Sequence, residues 1–322
     1  MARSIRKTVI LAKIETTSGT DAAPSNTTDA MLIHVENLST KVEQQFAERD
    51  VITGVFASPD MLPYTRRGTI TFTVDAASVG SGNLGSAVAF DALLQGCGLA
   101  QTLTASTKAV YNDISTALKT LTIWAYMDGE LRKFNYAAGN FTADFSVGSV
   151  PKFTFTFQAL VTSVAAGSNP VPTLTAFQRP EAVGPATTSK LTLGGTLSGL
   201  TISGGTAYNF KTLQFDLGND VQFDELATQE TVAIYGRNST LTATLDLGVT
   251  DEVTKYADMA AGTTSSIGVK HGSASGKFVL PFFSAGIITG IEDNVDGNKL
   301  LSTLKFTLKA ATANDAVQLV FA

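Results

Sequence analysis

Gly80-Ser-Gly82-Asn-Leu-Gly85 has the spacing of a dinucleotide-binding loop, whose glycines let the backbone approach a pyrophosphate at a helix N-terminus. Its surroundings argue against that chemistry. The residues before it alternate Thr with apolar side chains, whereas a central parallel strand is almost wholly apolar. The carboxylate expected about 20 positions on is missing from Gln101 to Asn112, so a flexible turn is the better reading. Glu292-Asp293-Asn294-Val295-Asp296-Gly297 begins like a calcium loop, but Thr303 stands where the bidentate glutamate belongs. Asp296-Gly297 instead fits a hairpin turn.

His34 and His271 are the only histidines and Cys97 the only cysteine, which leaves no zinc-binding spacing and no intramolecular disulfide. On a helical reading Cys97 lies on the apolar face as a buried structural thiol. No Gly-x-Ser-x-Gly elbow marks a nucleophile. Arg66, Arg67 and Arg237 stand at strand entrances, where an arginine contacts phosphate, solvent or a protein partner; net acidity favours the last two. The sequons at Asn26, Asn37, Asn140 and Asn238 carry little meaning without a secretion signal. No residues propose a catalyst, a metal or a cofactor, and the chain is read as a non-enzyme.

The elements around these residues say more. Tyr64-Thr-Arg-Arg-Gly-Thr-Ile-Thr-Phe-Thr-Val-Asp75 recurs as Tyr235-Gly-Arg-Asn-Ser-Thr-Leu-Thr-Ala-Thr-Leu-Asp246. Both alternate Thr with apolar residues, the period of a half-buried strand. A helical pattern follows each: Phe90, Leu93, Leu94 and Cys97, closed by Gly98, and Val253, Tyr256, Ala257 and Ala260, capped by Thr250 and closed by Gly262. A repeated strand-then-helix order predicts two related domains. The length of 322 residues exceeds what one core usually supports. Few charges and abundant Thr, Ser, Ala and Gly favour β structure with many turns.

The expected organisation is a domain over 1–168, a linker over 169–189 rich in Pro and small residues, and a second domain over 190–322. The basic start, Arg3 to Lys7, leads into an apolar run cut short by Lys13 and Glu15, unlike a signal peptide. Residues 1–30 read as an arm that folds only against something else. No stretch approaches the ~20 apolar residues of a membrane span, and a soluble protein made in a cytoplasm is expected. Residues 39–63 form a long connection retaining Phe46, Val51, Ile52, Val55, Phe56 and Met61, whose spacing is too irregular to assign Val42 and Phe46 to a helical turn. Such apolar residues need a partner to bury them. Leu118–Met127 and Glu130–Tyr136 predict a hairpin turning at Asp128-Gly129. Phe153-Thr-Phe-Thr-Phe157 predicts a strand echoed by Leu304-Lys-Phe-Thr-Leu308.

Leu11-Ala-Lys-Ile-Glu-Thr-Thr-Ser-Gly-Thr-Asp-Ala-Ala-Pro24 resembles the N-terminal signature of the major tail (tail tube) proteins of long, non-contractile-tailed phages and prophages. Further resemblances follow in the family's order. They are Arg66 to Asp75, Leu93-Leu-Gln-Gly-Cys-Gly98, Ala109-Val-Tyr111, Leu121 to Gly129 and Gly139 to Phe157, covering most of residues 8–165. The second half is similar to longer members more loosely, through Leu213 to Asn219 and Ile234 to Arg237.

The resemblance implies a mainly β chain of two tandem tail-tube-type β-barrel or sandwich domains, each with one flanking helix, a fold shared with type VI secretion tubes. It implies no catalytic residues. It also implies a virion protein, assembled in the host cytoplasm, whose stacked rings surround a channel for DNA ejection. Tape-measure, tail-terminator and distal tail proteins are the implied partners, and genomic DNA passes without specific binding. Six barrel positions per ring would be filled by three two-barrel chains, a pseudo-sixfold trimer; a hexamer with the second domain turned outward is the alternative. The candidate inter-ring and inter-subunit contacts are Phe46, Val51, Ile52, Val55, Phe56 and Met61, with Arg3 and Arg6 on the arm. A β-sandwich adhesion module of a virion or cell surface is the rival reading. Clustered exposed aromatics are expected of it, whereas Trp124 sits in a strand and the phenylalanines alternate as core.

Overall fold

The computed structural model describes residues 3–322 except 53, 57 and 59. The chain is mainly β, with two α-helices among the described residues. In its first half lie β1 (Thr8–Ile14), β2 (Ala30–Met31), β3 (Ser39–Arg49), β4 (Asp60–Asp75), α1 (Asp91–Gly96), β5 (Leu99–Thr104), β6 (Lys108–Asp113), β7 (Leu121–Met127), β8 (Glu130–Asp144) and β9 (Lys152–Ala166). The second half starts with β10 (Leu191–Leu193), β11 (Thr196–Ser198), β12 (Thr201–Ser203), β13 (Thr206–Asp216), β14 (Asn219–Leu226), β15 (Gln229–Arg237) and β16 (Thr240–Asp246). It ends with α2 (Val249–Ala261), β17 (Thr264–Gly268), β18 (Val279–Asp296), β19 (Lys299–Lys309) and β20 (Gln318–Phe321).

Alternation makes these strands. Along β9, Phe153, Phe155 and Phe157 are buried, while Thr154 and Thr156 pair with Thr73 and Thr71 of β4 through hydroxyl contacts of 2.9 and 3.1 Å. Such cross-strand pairs are the unit of sheet stabilisation.

The second half closes on itself in the order β13, β16, β19, β18, β17, β10 and back to β13, a six-stranded barrel. The first half follows the same order: β3, β4, β9, β8, β7, β1, then β2, which leads back into β3. The His34 amide donates to the Thr73 carbonyl of β4 at 2.8 Å, tying the β2–β3 connection to the ring. The two Thr-alternating segments occupy matching places. Ile70 lies opposite Phe157 and Phe72 opposite Phe155, just as Leu241 lies opposite Phe306 and Ala243 opposite Leu304. The counterpart of Phe153–Phe157 is therefore Ser302–Phe306, two residues before the expected echo; a shift of two keeps every side chain on its face.

Among the described residues, two sheet contacts join the halves: β8 with β13, and β20 between β18 and β6. Phe141 of β8 stacks edge-on to Phe215 of β13, 5.7 Å between centroids, and one apolar core runs through both halves. The Gly80 amide donates to the Gly276 carbonyl at 2.8 Å. A Cβ on Gly276, which has φ +85°, would stand 2.1 Å from the Ser81 nitrogen, so the glycine permits this contact between halves. The Gly80–Gly85 segment is thus a packed turn with a short 3-10 helix at Ser81–Asn83.

Several expectations are corrected. Residues 39–63, expected as a long connection, include β3, with Val42 and Phe46, and the start of β4, the arms of a long hairpin paired from Ser39–Thr71 to Arg49–Asp60. Residues 8–14 are a barrel strand rather than part of a free arm. The stretch after it packs on its own barrel: the buried Glu15 carboxylate accepts from Thr120, Thr122 and the amides of Gly19 and Tyr136. The hairpin at 128–129 is present, with Asp128 and Gly129 both at positive φ as a type I′ turn requires. The turn joining β18 to β19 falls on Gly297-Asn298, one residue later than expected, because Asp296 still pairs with Lys299.

Candidate assembly interface

Among the sequence candidates, the β3–β4 hairpin brings six together. Phe46 and Met61 lie along its arms, and Val51, Ile52, Val55 and Phe56 lie in its tip; all six are exposed. Thr53, Ala57 and Pro59 of the same connection lie outside the described residues. The outer part of the hairpin, 46–49 with 60–64, is exposed on both faces, whereas Val42 nearer the barrel packs against the core.

Arg3 and Arg6 do not join this group. Arg3 pairs with Glu130, Lys7 approaches Asp128 at 3.4 Å, and the Ser4 amide donates to Asp128 at 2.8 Å. The first described residues therefore rest on the β7–β8 turn, far along the chain from the hairpin tip. Arg6 is exposed in a short 3-10 helix at Ile5–Lys7.

The hairpin has a counterpart in the second half. There β13 continues into β14 and β15 into β16, so 206–246 repeats the plan of 30–75 with a two-residue turn at 227–228. Asn219 faces Arg237 across this hairpin as Gln44 faces Arg66 across the first.

The second hairpin is docked. Arg237 is mostly buried and donates to the Gly98 carbonyl at 3.0 Å and to Asn219 Oδ1 at 2.8 Å; its ion pair with Asp113 measures 3.2 Å. Burial pulls the Arg237 guanidinium below its usual value, opposed by the Asp113 charge. Asn219 Nδ2 donates to the carbonyls of Cys97 and Gly139 at 2.7 and 2.8 Å. The end of α1 is thereby covered, and burial pushes the Cys97 thiol well up. Val232 of β15, only 2% exposed, meets a hollow lined by Leu118, Tyr136 and Ala138. At the far end, Arg67 of β4 pairs with Glu225 at 2.6 Å and with Glu230 at 2.7 Å, and its guanidinium lies 4.7 Å from the Phe223 ring centre.

The arrangement is mechanical: it clamps one barrel to the next. Sequence reasoning named Arg67 and Arg237 only as solvated or interface arginines and missed Asn219, Val232, Glu225 and Glu230. The Asn219–Arg237 and Gln44–Arg66 matches were the available signal.

The α2 helix differs from α1 in the same sense. Phe90, Leu93, Leu94 and Cys97 of the α1 pattern are buried. Val253 and Tyr256, expected on the core face of the second pattern, are 63% and 44% exposed, while Lys255 is buried and paired with Asp258. Among the described residues, no group of three or more His, Cys, Asp or Glu side chains can hold a metal ion. No described helix is long and apolar enough to cross a membrane.

A family model described as phage tail tube protein matches residues 5–318. No curated protein sequence matched the chain.

Proposed function

The chain belongs to the phage tail tube protein family, a structural component of the virion tail, and from that premise we propose that three chains close a ring of six barrels. Rings then stack into the conduit for DNA ejection. The observation that carries the reading is the apolar tip of the β3–β4 hairpin, held in solvent by a paired ladder that extends well beyond the barrel. Burial of Val51, Ile52, Val55 and Phe56 against the next ring would stabilise stacking by about 1.5–3 kcal/mol per side chain before ordering costs. The matching strand order of 1–168 and 190–322 supports two barrel positions per chain, with 169–189 as the linker between tandem domains.

The net charge of −5 suits a channel that must not grip a polyanion, since each basic contact adds salt-dependent affinity. Tape-measure protein in the lumen, and terminator and distal tail proteins at the ends, complete the proposed set of partners, with assembly in the host cytoplasm. Electron microscopy of the purified protein tests the reading: tubes of constant diameter are expected. Mass measurement of isolated rings separates three chains from the six of the hexamer alternative. A protein that stays monomeric at high concentration would overturn the proposal.

A further inference from the structure

We infer that the clamp between the two halves of one chain is built a second time between chains. The first hairpin of a second copy lies over the α2 end of the second barrel, and its β3 extends the sheet along the open edge of β18. The inference deepens the ring reading above and rests on it.

Its basis is that each half of the intramolecular clamp has an unoccupied twin. The covering element is 206–246, and its twin 30–75 carries Gln44 opposite Arg66 where the clamp has Asn219 opposite Arg237. Arg237 is mostly buried, whereas Arg66 is exposed. Val232 is 2% exposed, but Met61, at the matching position of the strand, is 48% exposed. The covered element is the α1 end with β8, and its twin is the α2 end with β18. Gly98 and Gly262 both close their helices at positive φ, yet Gly98 is buried and Gly262 exposed. Val253 and Tyr256, further back on α2, are exposed as well.

The strand edges agree. Inside the chain β13 adds to β8 through Gln214–Asp144, Phe215–Ala143 and Asp216–Thr142. Carried through the two barrels' matching ladders, these pairs become Ser39–Asn294, Thr40–Asp293 and Lys41–Glu292. Among the described residues, β3 pairs only with β4, and β18 beyond Ile287 pairs only with β19. Lys41 would then face Glu292, an opposite-charge cross-strand pair. Such an interface is heterologous: each copy offers one hairpin and one barrel edge, so chains join head to tail and close into a ring when the rotation permits.

Site-directed disulfide trapping tests the register. Ser39→Cys and Asn294→Cys are placed in separate full-length chains, both at exposed positions, with the native Cys97 buried and non-competing. Directly opposed residues of an antiparallel pair lie about 4.5–5.5 Å apart, within disulfide reach. Mixing the two proteins under mild oxidation should give a cross-linked dimer, and the double variant a ladder ending at the ring. A control pair, Ser39→Cys with Ser203→Cys, should give none. Arg66→Glu should cut the cross-linked yield at least about tenfold, as expected for a charge placed against an interface, without changing the melting temperature of the unassembled chain. Rings or tubes seen by electron microscopy with no 39–294 cross-link above the control would overturn this seam and leave the tube reading standing. Failure of the wild-type chain to assemble would overturn both.

Discussion

The two long hairpins of this chain share a plan and carry different loads. The second, 206–246, ends in a two-residue turn beside Glu225 and Glu230, which settle on Arg67 of the first barrel. The first, 30–75, ends in a ten-residue tip, 50–59, that includes four exposed apolar side chains. The shared length suffices to clamp one barrel to its neighbour, as the second hairpin does. Between the matching pairs Arg49–Asp60 and Asp224–Thr231 the first hairpin has ten residues and the second six, so the first carries four beyond what that clamp uses. Phe46 and Met61 lie on the ladder both hairpins share and Val51, Ile52, Val55 and Phe56 in the longer tip, which separates candidates that looked alike in sequence.

The most damaging test converts one hairpin into the other. Replacing residues 52–57 with Asn-Gly, a favoured two-residue hairpin turn, leaves six residues between Arg49 and Asp60 as in the second hairpin, and should abolish tubes while leaving folded chains and isolated rings, visible by electron microscopy. Full-length tubes from this variant would remove the distinction between the two tips. A gentler version, Phe56→Asp with Ile52→Asp, should shorten tubes with little change in melting temperature, because exposed positions contribute little to monomer stability.

The next test separates the twin arginines. Arg237→Ala leaves the Asp113 carboxylate without its ion pair and the Asn219 and Gly98 contacts without a donor. A loss of roughly 3 kcal/mol in denaturant unfolding is expected, in the range for breaking a buried pair by removing one partner. Arg66→Ala, at the exposed twin position, should change monomer stability by less than about 0.5 kcal/mol. Equal losses from both would show that the hairpins are not differently loaded within one chain.

How much of this was legible in the sequence follows from which faces each element buries. The β4, β9 and β16 strands bury one face, so Thr alternation showed them, and the same alternation matched Tyr64–Asp75 with Tyr235–Asp246. The Phe90, Leu93, Leu94 and Cys97 pattern found α1 because its apolar face meets the core. The outer half of β3–β4 buries neither face within the chain, so its apolar residues fall irregularly and read as a loop. Val253 and Tyr256 gave a correct helix and the wrong neighbour, since periodicity reports an apolar stripe without saying what covers it. The clamp was hidden because Asn219 and Arg237 meet backbone carbonyls of Cys97, Gly98 and Gly139, and no side-chain pattern records those acceptors. Residues 8–14 were masked by the charges flanking them, although Val9 to Ala12 are all buried.

The smallest expected effect concerns what holds residues 181–188 to the second half rather than the hairpins themselves. His271 is buried, with Nδ1 2.9 Å from the Thr188 hydroxyl and Nε2 3.1 Å from the Glu181 carbonyl. Burial lowers its pKa below 6.5, with the Glu181 contact and charge opposing. The unfolded chain therefore takes up a proton here at higher pH than the folded one. Stability from this group is complete above 6.5 and declines as pH falls below it toward the folded value. Glu181 adds a second, lower step. Hydrogen bonds from Lys277 and Ser273 hold its carboxyl at about 2 instead of 4.5, so its contribution is present above 4.5 and is lost as pH falls toward 2. Melting temperature should therefore fall modestly from pH 7.5 to 5.5, and His271→Gln should flatten that first step while leaving the acid step. If Arg237→Ala flattened the pH 5.5–7.5 step as well, the 181–188 segment and the clamp would be one cooperative unit, and the two hairpins' loads could not be assigned separately.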